Sequence, residues 1–206
     1  YLKNSIAEIP APFVSAPSFD ECVKDKKQFA RAFKISEREH CHINGKRIIQ
    51  QQDERFLVVN PPQAPLSREE LDKVFALPYE RAYHPSYKDK GGVPALTEVE
   101  HSIIHNRGCF GACNFCSLAF HQGKVVTSRS HESVLEEAKK IINSPTFKGY
   151  INDVGGPTAN FREPACKKQL THDACKDKRC LAPTPCENLE VSHQDYLSLL
   201  RKLRAL

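Results

Sequence analysis

The sequence contains neither methionine nor tryptophan, and its 206 residues begin at Tyr1. A chain of this length without any Met reads as an internal piece of something longer. Long apolar runs are also missing. The longest purely aliphatic or aromatic stretch is Phe56 to Val59, whereas a membrane-spanning helix needs about 20 apolar residues. The opening YLKNSIAEIPAPF lacks the apolar core that a secretory leader requires. The expectation is therefore a cytoplasmic protein with no membrane partner. A strong charge of one sign is absent too. Thirty Lys and Arg against 25 Asp and Glu leave +5, with a pI near 8.7. That suits anionic partners but falls short of a dedicated DNA-binding domain. No internal repeat is found. The remaining composition, 40% hydrophobic and 27% charged with mean hydropathy −0.51, is that of an ordinary soluble chain.

Cysteine is what the sequence has in quantity. There are nine, an odd number, and seven fall after residue 108. Secreted disulfide scaffolds are shorter, evenly paired and spread along the chain. Odd, clustered cysteines point instead to reduced thiols and a metal protein.

Residues 1–95 carry nine of the fourteen prolines and only three glycines, and read as an accessory or connecting α+β segment. Cys22 to Glu39 predicts a helix, with Val23, Ala30 and Phe33 in an apolar stripe among lysines. RIIQQ and RFLVV predict a hairpin turning at Gln52 to Glu54, and Asn60-Pro61-Pro62 stops its second strand. Ser67 followed by Glu70 is a capping-box spacing that opens a short helix before Pro78. Tyr79 to Pro94 reads as loop. From 96 the texture changes. Val99, Ile103 and Ile104 form a β-prone run ending at Gly108. Ser130 caps an amphipathic helix in which Val134, Leu135, Ala138, Ile141 and Ile142 share one face. Gly149 to Val154 predicts a strand. Strand, loop, helix, strand is a βαβ unit with parallel strands. Residues 162–187 form a cysteine-rich loop, and His193 to Leu206 predicts a second helix.

Three groups of residues carry chemistry. Cys109-x3-Cys113-x2-Cys116, beside Gly108 and Gly111, places three thiols within eight residues. A structural zinc site wants four ligands in a closed tetrahedron. Three thiolates suit a [4Fe–4S] cube with one iron left open to a chelating ligand. The alternatives are zinc completed by His105 or His121, or three incidental thiols. The second group is Asp153-Val154-Gly155-Gly156-Pro157-Thr158, which by itself reads as a turn. The third is Cys166-x8-Cys175-x4-Cys180-x5-Cys186, four thiols flanked by Lys167, Lys168, Lys176, Lys178 and Arg179. Four is the number of a closed site, zinc or an all-cysteine cluster; disulfides or free thiols are the alternative.

RGCFGACNFC resembles the cysteine loop of the radical S-adenosylmethionine (SAM) superfamily, C-x3-C-x-aromatic-C, with Phe115 in the aromatic slot. NPPQAPLSREELDKVFALPYERAYHPSY, HNRGCFGACNFCSLAFHQGKVVTSRSHESVLEEAKKI and DVGGPTANFREPACKKQ together resemble the YgiQ family of radical SAM proteins. The similarity covers most of residues 55–206. It implies an α/β fold, with residues 96–206 starting a partial (β/α)6 barrel. Cys109, Cys113 and Cys116 would hold the [4Fe–4S] cluster. Phe115, Asp153, Gly155, Gly156 and Pro157 would meet SAM, with Pro157 standing in the slot that is acidic in the Gly-Gly-Glu-like segment of radical SAM proteins. The implied activity is reductive cleavage of SAM to a 5′-deoxyadenosyl radical. A small electron-donor protein would be a partner, and the substrate is unassigned. The competing class is a non-catalytic zinc or iron–sulfur module contacting nucleic acid. Against it, a binding module has no reason to leave a site open, and no aromatics interleave the basic run from 167 to 179. Among single residues, Arg129 is a candidate for SAM's carboxylate or a surface arginine, and His101 and His105 are packing or solvent residues. Cys22, His40, Cys41 and His42 form a weaker candidate metal cluster.

Overall fold

The computed structural model describes residues 1–157 and 160–206. Its N-terminal part contains β1 (Leu2–Lys3), β2 (Phe13–Ser15), α1 (Phe19–Lys24), α2 (Lys26–Glu39), β3 (Arg47–Gln52) and β4 (Arg55–Val59). The predicted hairpin forms, pairing Ile49 with Val58 across β3 and β4, and Asp53 takes the left-handed turn position (φ 51°). Asp tolerates that conformation better than most residues because its short polar side chain bonds locally. β1 adds antiparallel to β4 and β2 adds parallel to β3, giving the order β1–β4–β3–β2. Ile9, Ile49 and Val58 are buried on this sheet, with Phe13 and Phe56 packed against them.

The single helix predicted from Cys22 to Glu39 is broken in two. Asp25 is extended (φ −134°, ψ 115°), and its carboxylate accepts the Lys27 N–H at 2.8 Å. An Asp that caps a new helix competes with continuing the old one. Ser18 and Glu21 close a capping box on α1. Neither helix buries a residue, and Val23, Phe29 and Phe33 are exposed.

The second part holds α3 (Arg68–Phe75), α4 (Leu96–Val99), β5 (Ser102–Ile104), β6 (Asn106–Arg107), α5 (Leu118–Gln122), β7 (Thr127–Ser128), α6 (His131–Ile142), β8 (Asp153–Gly155), α7 (Gln169–His172) and α8 (Gln194–Leu203). The predicted capping box at Ser67 and Glu70 is present, as is the Ser130 cap on α6. β5 and β8 pair in parallel with α6 between them in sequence, matching Ile103 to Val154. Ile103, Val134, Ala138, Ile141 and Leu199 form the core where α6 and α8 cover these strands. The strand predicted from Gly149 begins instead at Asp153, after Gly149 takes a positive φ of 92°. Val99, read as β-prone, ends the helical turn α4 and is exposed, so no sheet neighbour rewards its branched side chain. The architecture is mixed α/β with small sheets, and no barrel closes among the described residues. No helix is long and apolar enough to cross a membrane among those residues.

A buried arginine web joins these elements. Arg129 is fully buried, and its guanidinium donates to the Ile104 carbonyl at 2.8 Å, the Ser133 carbonyl at 2.9 Å and the Glu137 carboxylate. The same guanidinium lies 4.2 Å from the centre of the Phe75 ring. Arg81 reaches Glu137 from the other side and donates to the Glu100 carbonyl at 3.0 Å. Arg162 pairs with Asp195 and donates to the Arg129 carbonyl at 2.7 Å. His101 and His105 are both buried, hence packing residues; the His105 ring lies 4.9 Å from that of Tyr196. Burial, then the nearby Arg162 and Arg129 charges, hold the His105 imidazole down to about 4.

Replacing Arg129 by Met should cost about 3 kcal/mol, because Glu137 stays buried with half its compensation gone. A urea midpoint unchanged from the parent would show that Arg81 alone satisfies Glu137. His105 supplies a pH dependence of definite sign. The unfolded chain takes up a proton near 6.5, the folded one only near 4, so the native state is favoured above 6.5 and progressively disfavoured toward 4. The slope reaches about 1.4 kcal/mol per pH unit. His105→Phe should flatten the loss of stability between pH 6.5 and 4.5; an identical slope in both proteins would contradict it.

Candidate metal and cofactor site

The cysteine loop leaves the sheet at β6 and returns through α5 to β7. Its base is closed by backbone approach. A side chain at Gly108, whose φ is +82°, would meet the Val125 carbonyl oxygen at 2.0 Å, so only glycine fits. The Cys109 N–H donates to the Gly123 carbonyl at 3.0 Å. Within the loop, two thiols lie close to Gly111. A Cβ there would lie 3.3 Å from Cys109 Sγ and 3.6 Å from Cys113 Sγ, and the Gly111 N–H already donates to Cys109 Sγ at 3.4 Å. The Cys116 N–H donates to the Cys113 carbonyl at 3.1 Å, closing a turn between the second and third cysteines. Phe115 projects from the loop at 93% exposure.

The donor set fits a cluster better than a single ion. Zinc gathers four donors at about 2.0–2.3 Å from one point. Among the described residues, no three His, Cys, Asp or Glu side chains are gathered so. A polynuclear cluster puts each thiolate on a separate iron, and the two thiols beside the open space at Gly111 are available to it. The zinc alternative has no preformed fourth ligand in His105, which is buried and packed, tilted by 38°, against the Tyr196 ring.

The strand after α6 ends beside this loop. The His105 N–H donates to the Gly155 carbonyl at 2.8 Å, which ties β8 to the strand that feeds the cysteines. A Cβ at Gly156 would fall 1.8 Å from Asn106 Oδ1, so the Asn106 amide occupies the space that glycine leaves. Asn106 is buried, and its side-chain oxygen and nitrogen have no hydrogen-bond partner among the described residues. Asp153 is exposed, and its carboxylate curls back over Gly155. Pro157 is buried. Thr158, which closes this motif, lies outside the described residues. Arg129 is not a free cation for a ligand: its guanidinium is committed to Glu137, Ser133 and Ile104.

The second cysteine set packs against the first. Arg179 donates to the Ala112 carbonyl at 2.8 Å and to Asn114 Oδ1 at 3.3 Å, inside the first loop. Cys109, Cys175 and Cys180 line one narrow cavity with Lys178 and Arg179. Burial, followed by the proximity of Cys166, Cys175 and Cys186, pushes the Cys180 thiol up to about 11. The basic run is partly spent internally, since Lys176 binds Glu39 at 2.9 Å and the Asn44 carbonyl at 2.8 Å.

The weaker cluster near residue 40 divides. Cys22 lies by the Pro17 carbonyl and Gln50, whereas Cys41 and His42 gather on Asp173. Asp173 Oδ2 lies 2.7 Å from His42 Nδ1 and accepts the His42 N–H at 3.0 Å. Sequence reasoning missed Asp173 and Asn106. Asn106 carried a faint signal, a polar residue directly before the cysteine loop; Asp173, 131 positions from His42, carried none.

Comparison with known proteins places these features. The radical SAM N-terminal family matches residues 2–102. A UPF0313 protein of Clostridium perfringens strain ATCC 13124 is 52% identical over all 206 residues, which cover 31% of that relative. UPF0313 proteins of Clostridium botulinum strains ATCC 19397 and Okra are 52% and 54% identical, with the whole chain covering 32% of each. No solved structure matches the chain. With its N-terminal half matched to radical SAM proteins and its full length to UPF0313 proteins, of which it spans 31% to 32%, the chain belongs to the UPF0313, or YgiQ-type, family of radical SAM proteins.

Proposed function

We propose that the chain forms the cluster-binding part of a radical SAM enzyme, in which Cys109, Cys113 and Cys116 hold a [4Fe–4S] cluster and the enzyme reductively cleaves SAM. The observation that carries this reading is the loop between β6 and β7. It offers three thiols, two of them close to the bare Cα of Gly111, with its base pinned at Gly108 and Gly123. Three ligands leave one coordination position for an outside chelator, and the amino and carboxylate groups of SAM are such a chelator. When bound, the cluster supplies the electron that breaks a C–S bond of SAM, releasing methionine and a 5′-deoxyadenosyl radical. The chain's own part is binding and orientation.

Each of those tasks has a residue. The Gly155–Gly156 turn lets backbone approach a ligand closely, and the unpartnered Asn106 amide beside Gly156 offers a donor and an acceptor. Asp153 stands exposed at the start of the same strand, and Phe115 is uncovered on the loop. The parallel pair β5 and β8, joined through α6, is the first βα unit of a partial (β/α)6 barrel in this reading. Its ligands then lie at the carboxyl ends of the strands, where Gly156 and the cysteine loop both sit. The substrate-lining strands belong to the remainder of the relatives' length, and an external electron donor completes the cycle.

Two predictions test this. Cys109→Ala, Cys113→Ala and Cys116→Ala, each made in the intact protein, should reduce 5′-deoxyadenosine formation to background under dithionite. Parent-level product from any one of them would remove that residue from the ligand set. Gly156→Ala should displace the Asn106 side chain and weaken SAM binding by at least about tenfold, or 1.4 kcal/mol, while bound iron is unchanged. Equal SAM affinity in equilibrium dialysis would show that this turn does not touch the cofactor.

A further inference from the structure

The second cysteine set is the largest group of metal-ligating side chains that the proposed function leaves unused. Its four thiols span twenty-one residues of sequence, yet the chain gathers them about a short helix, α7. Gln169 on that helix is buried and works as a clamp. Its Oε1 accepts the Ala165 N–H at 2.7 Å, next to Cys166, and its Nε2 donates toward Cys180 Sγ at 3.8 Å. The Cys186 N–H donates to the Cys180 carbonyl at 2.8 Å, bringing the fourth cysteine to the same place. The Lys168 ammonium lies 4.0 Å from Cys175 Sγ. Outer contacts of this kind tune metal-bound cysteines.

Apolar burial does little to hold this loop. Between Pro164 and Pro185 its apolar side chains besides cysteine are Ala165, Leu170, Ala174, Leu181 and Ala182, and Leu170 is exposed. Only Ala165 is fully buried, with Cys180 and Leu181 packed near it. Loops of this length are uncommon in compact domains unless a function or a staple orders them. Among the described residues the four thiols make no preformed single-ion site, whereas a cluster takes each thiolate on a separate iron.

We propose that Cys166, Cys175, Cys180 and Cys186 hold a second iron–sulfur cluster, packed against the Cys109 arm of the first loop. Four protein thiolates close every iron, so this centre takes no chelating substrate. It orders the loop, and through Arg179 it fixes the backbone at Ala112 between the first two cysteines of the other set. The inference stands on its own thiols and does not depend on SAM cleavage.

The test is anaerobic reconstitution of the intact protein with ferrous iron and sulfide, followed by iron and acid-labile sulfide analysis. The triple variant Cys109→Ala, Cys113→Ala, Cys116→Ala should keep about half of the parent's iron and sulfide, with the visible absorption of a thiolate-ligated cluster. Cys175→Ser with Cys180→Ser should keep the other half, and combining the five changes should leave none. A triple variant without iron, a double variant with full iron, or zinc in place of iron and sulfide would overturn the second cluster. A triple variant retaining all the iron would instead refute the assignment of the first. Alkylation needs no variant: in the loaded parent, Cys166, Cys175, Cys180 and Cys186 should resist iodoacetamide and become reactive after chelation of the iron. Equal labelling before and after, or disulfides among the four under anaerobic conditions, would also overturn it.

Discussion

A guanidinium buried without exposure must have its charge met inside the protein, and at Arg129 that requirement organises the region around the site. Its partners come from β5, from the first turn of α6 and from Glu137 one turn further along the same helix. Removing an ion from water costs several kcal/mol, repaid only when geometry and hydrogen bonds are complete. Arg129 therefore fixes the register of α6 on the strand that leads to the cysteine loop. Arg162 extends the constraint, binding the Arg129 carbonyl and Asp195, so α8 and the start of the cysteine-rich loop are held to the same centre. The apolar cluster of Ile103, Val134, Ala138, Ile141 and Leu199 supplies burial on one side of this web. The web supplies direction, because each donor accepts only a narrow range of positions.

The parts of the fold that could be read in advance depend on neighbours close in sequence. The Ser67–Glu70 capping box, the Ser130 cap and the β3–β4 hairpin are interactions within a few residues, and each is found where the residue types called for it. Asp25 shows how a local rule can also be overlooked: an apolar stripe suggested one helix, and a single capping carboxylate divided it. The three thiols of the first loop could be singled out because they lie within eight residues of sequence. What lay beyond reading were pairings across the chain. Asp173 reaches His42, Arg179 reaches Ala112, and Asn106 meets Gly156. None leaves a periodic or spacing signal. Arg129 was visible as a residue, but its burial follows only from the packing of α3, α6 and β5 around it.

Polar burial and thiol placement divide the work between the two cysteine loops. The first is held by backbone geometry, through Gly108, which permits close approach of the Val125 carbonyl, and the Gly123 carbonyl, which accepts the Cys109 N–H. The second is held by side chains, with Gln169 and Arg179 reaching to backbone and sulfur. A loop fixed by backbone keeps its shape when its ligands are absent. A loop fixed by a few side chains gains much of its order from whatever binds its thiols.

The last turn of α2 grips both loops at once. Glu37 holds Lys124, immediately after the first loop, at 2.8 Å, while Glu39 two residues on holds Lys176 of the second at 2.9 Å. Those two carboxylates share one rigid helical segment, so a displacement of α2 carries both lysines with it. The N-terminal part, which contributes none of the thiols assigned to either centre, thereby ties the positions of the two sets together. Motion applied to the exposed face of α2 by anything that contacts Phe29 or Phe33 is delivered to the cysteine loops as a common translation rather than as a change in their spacing.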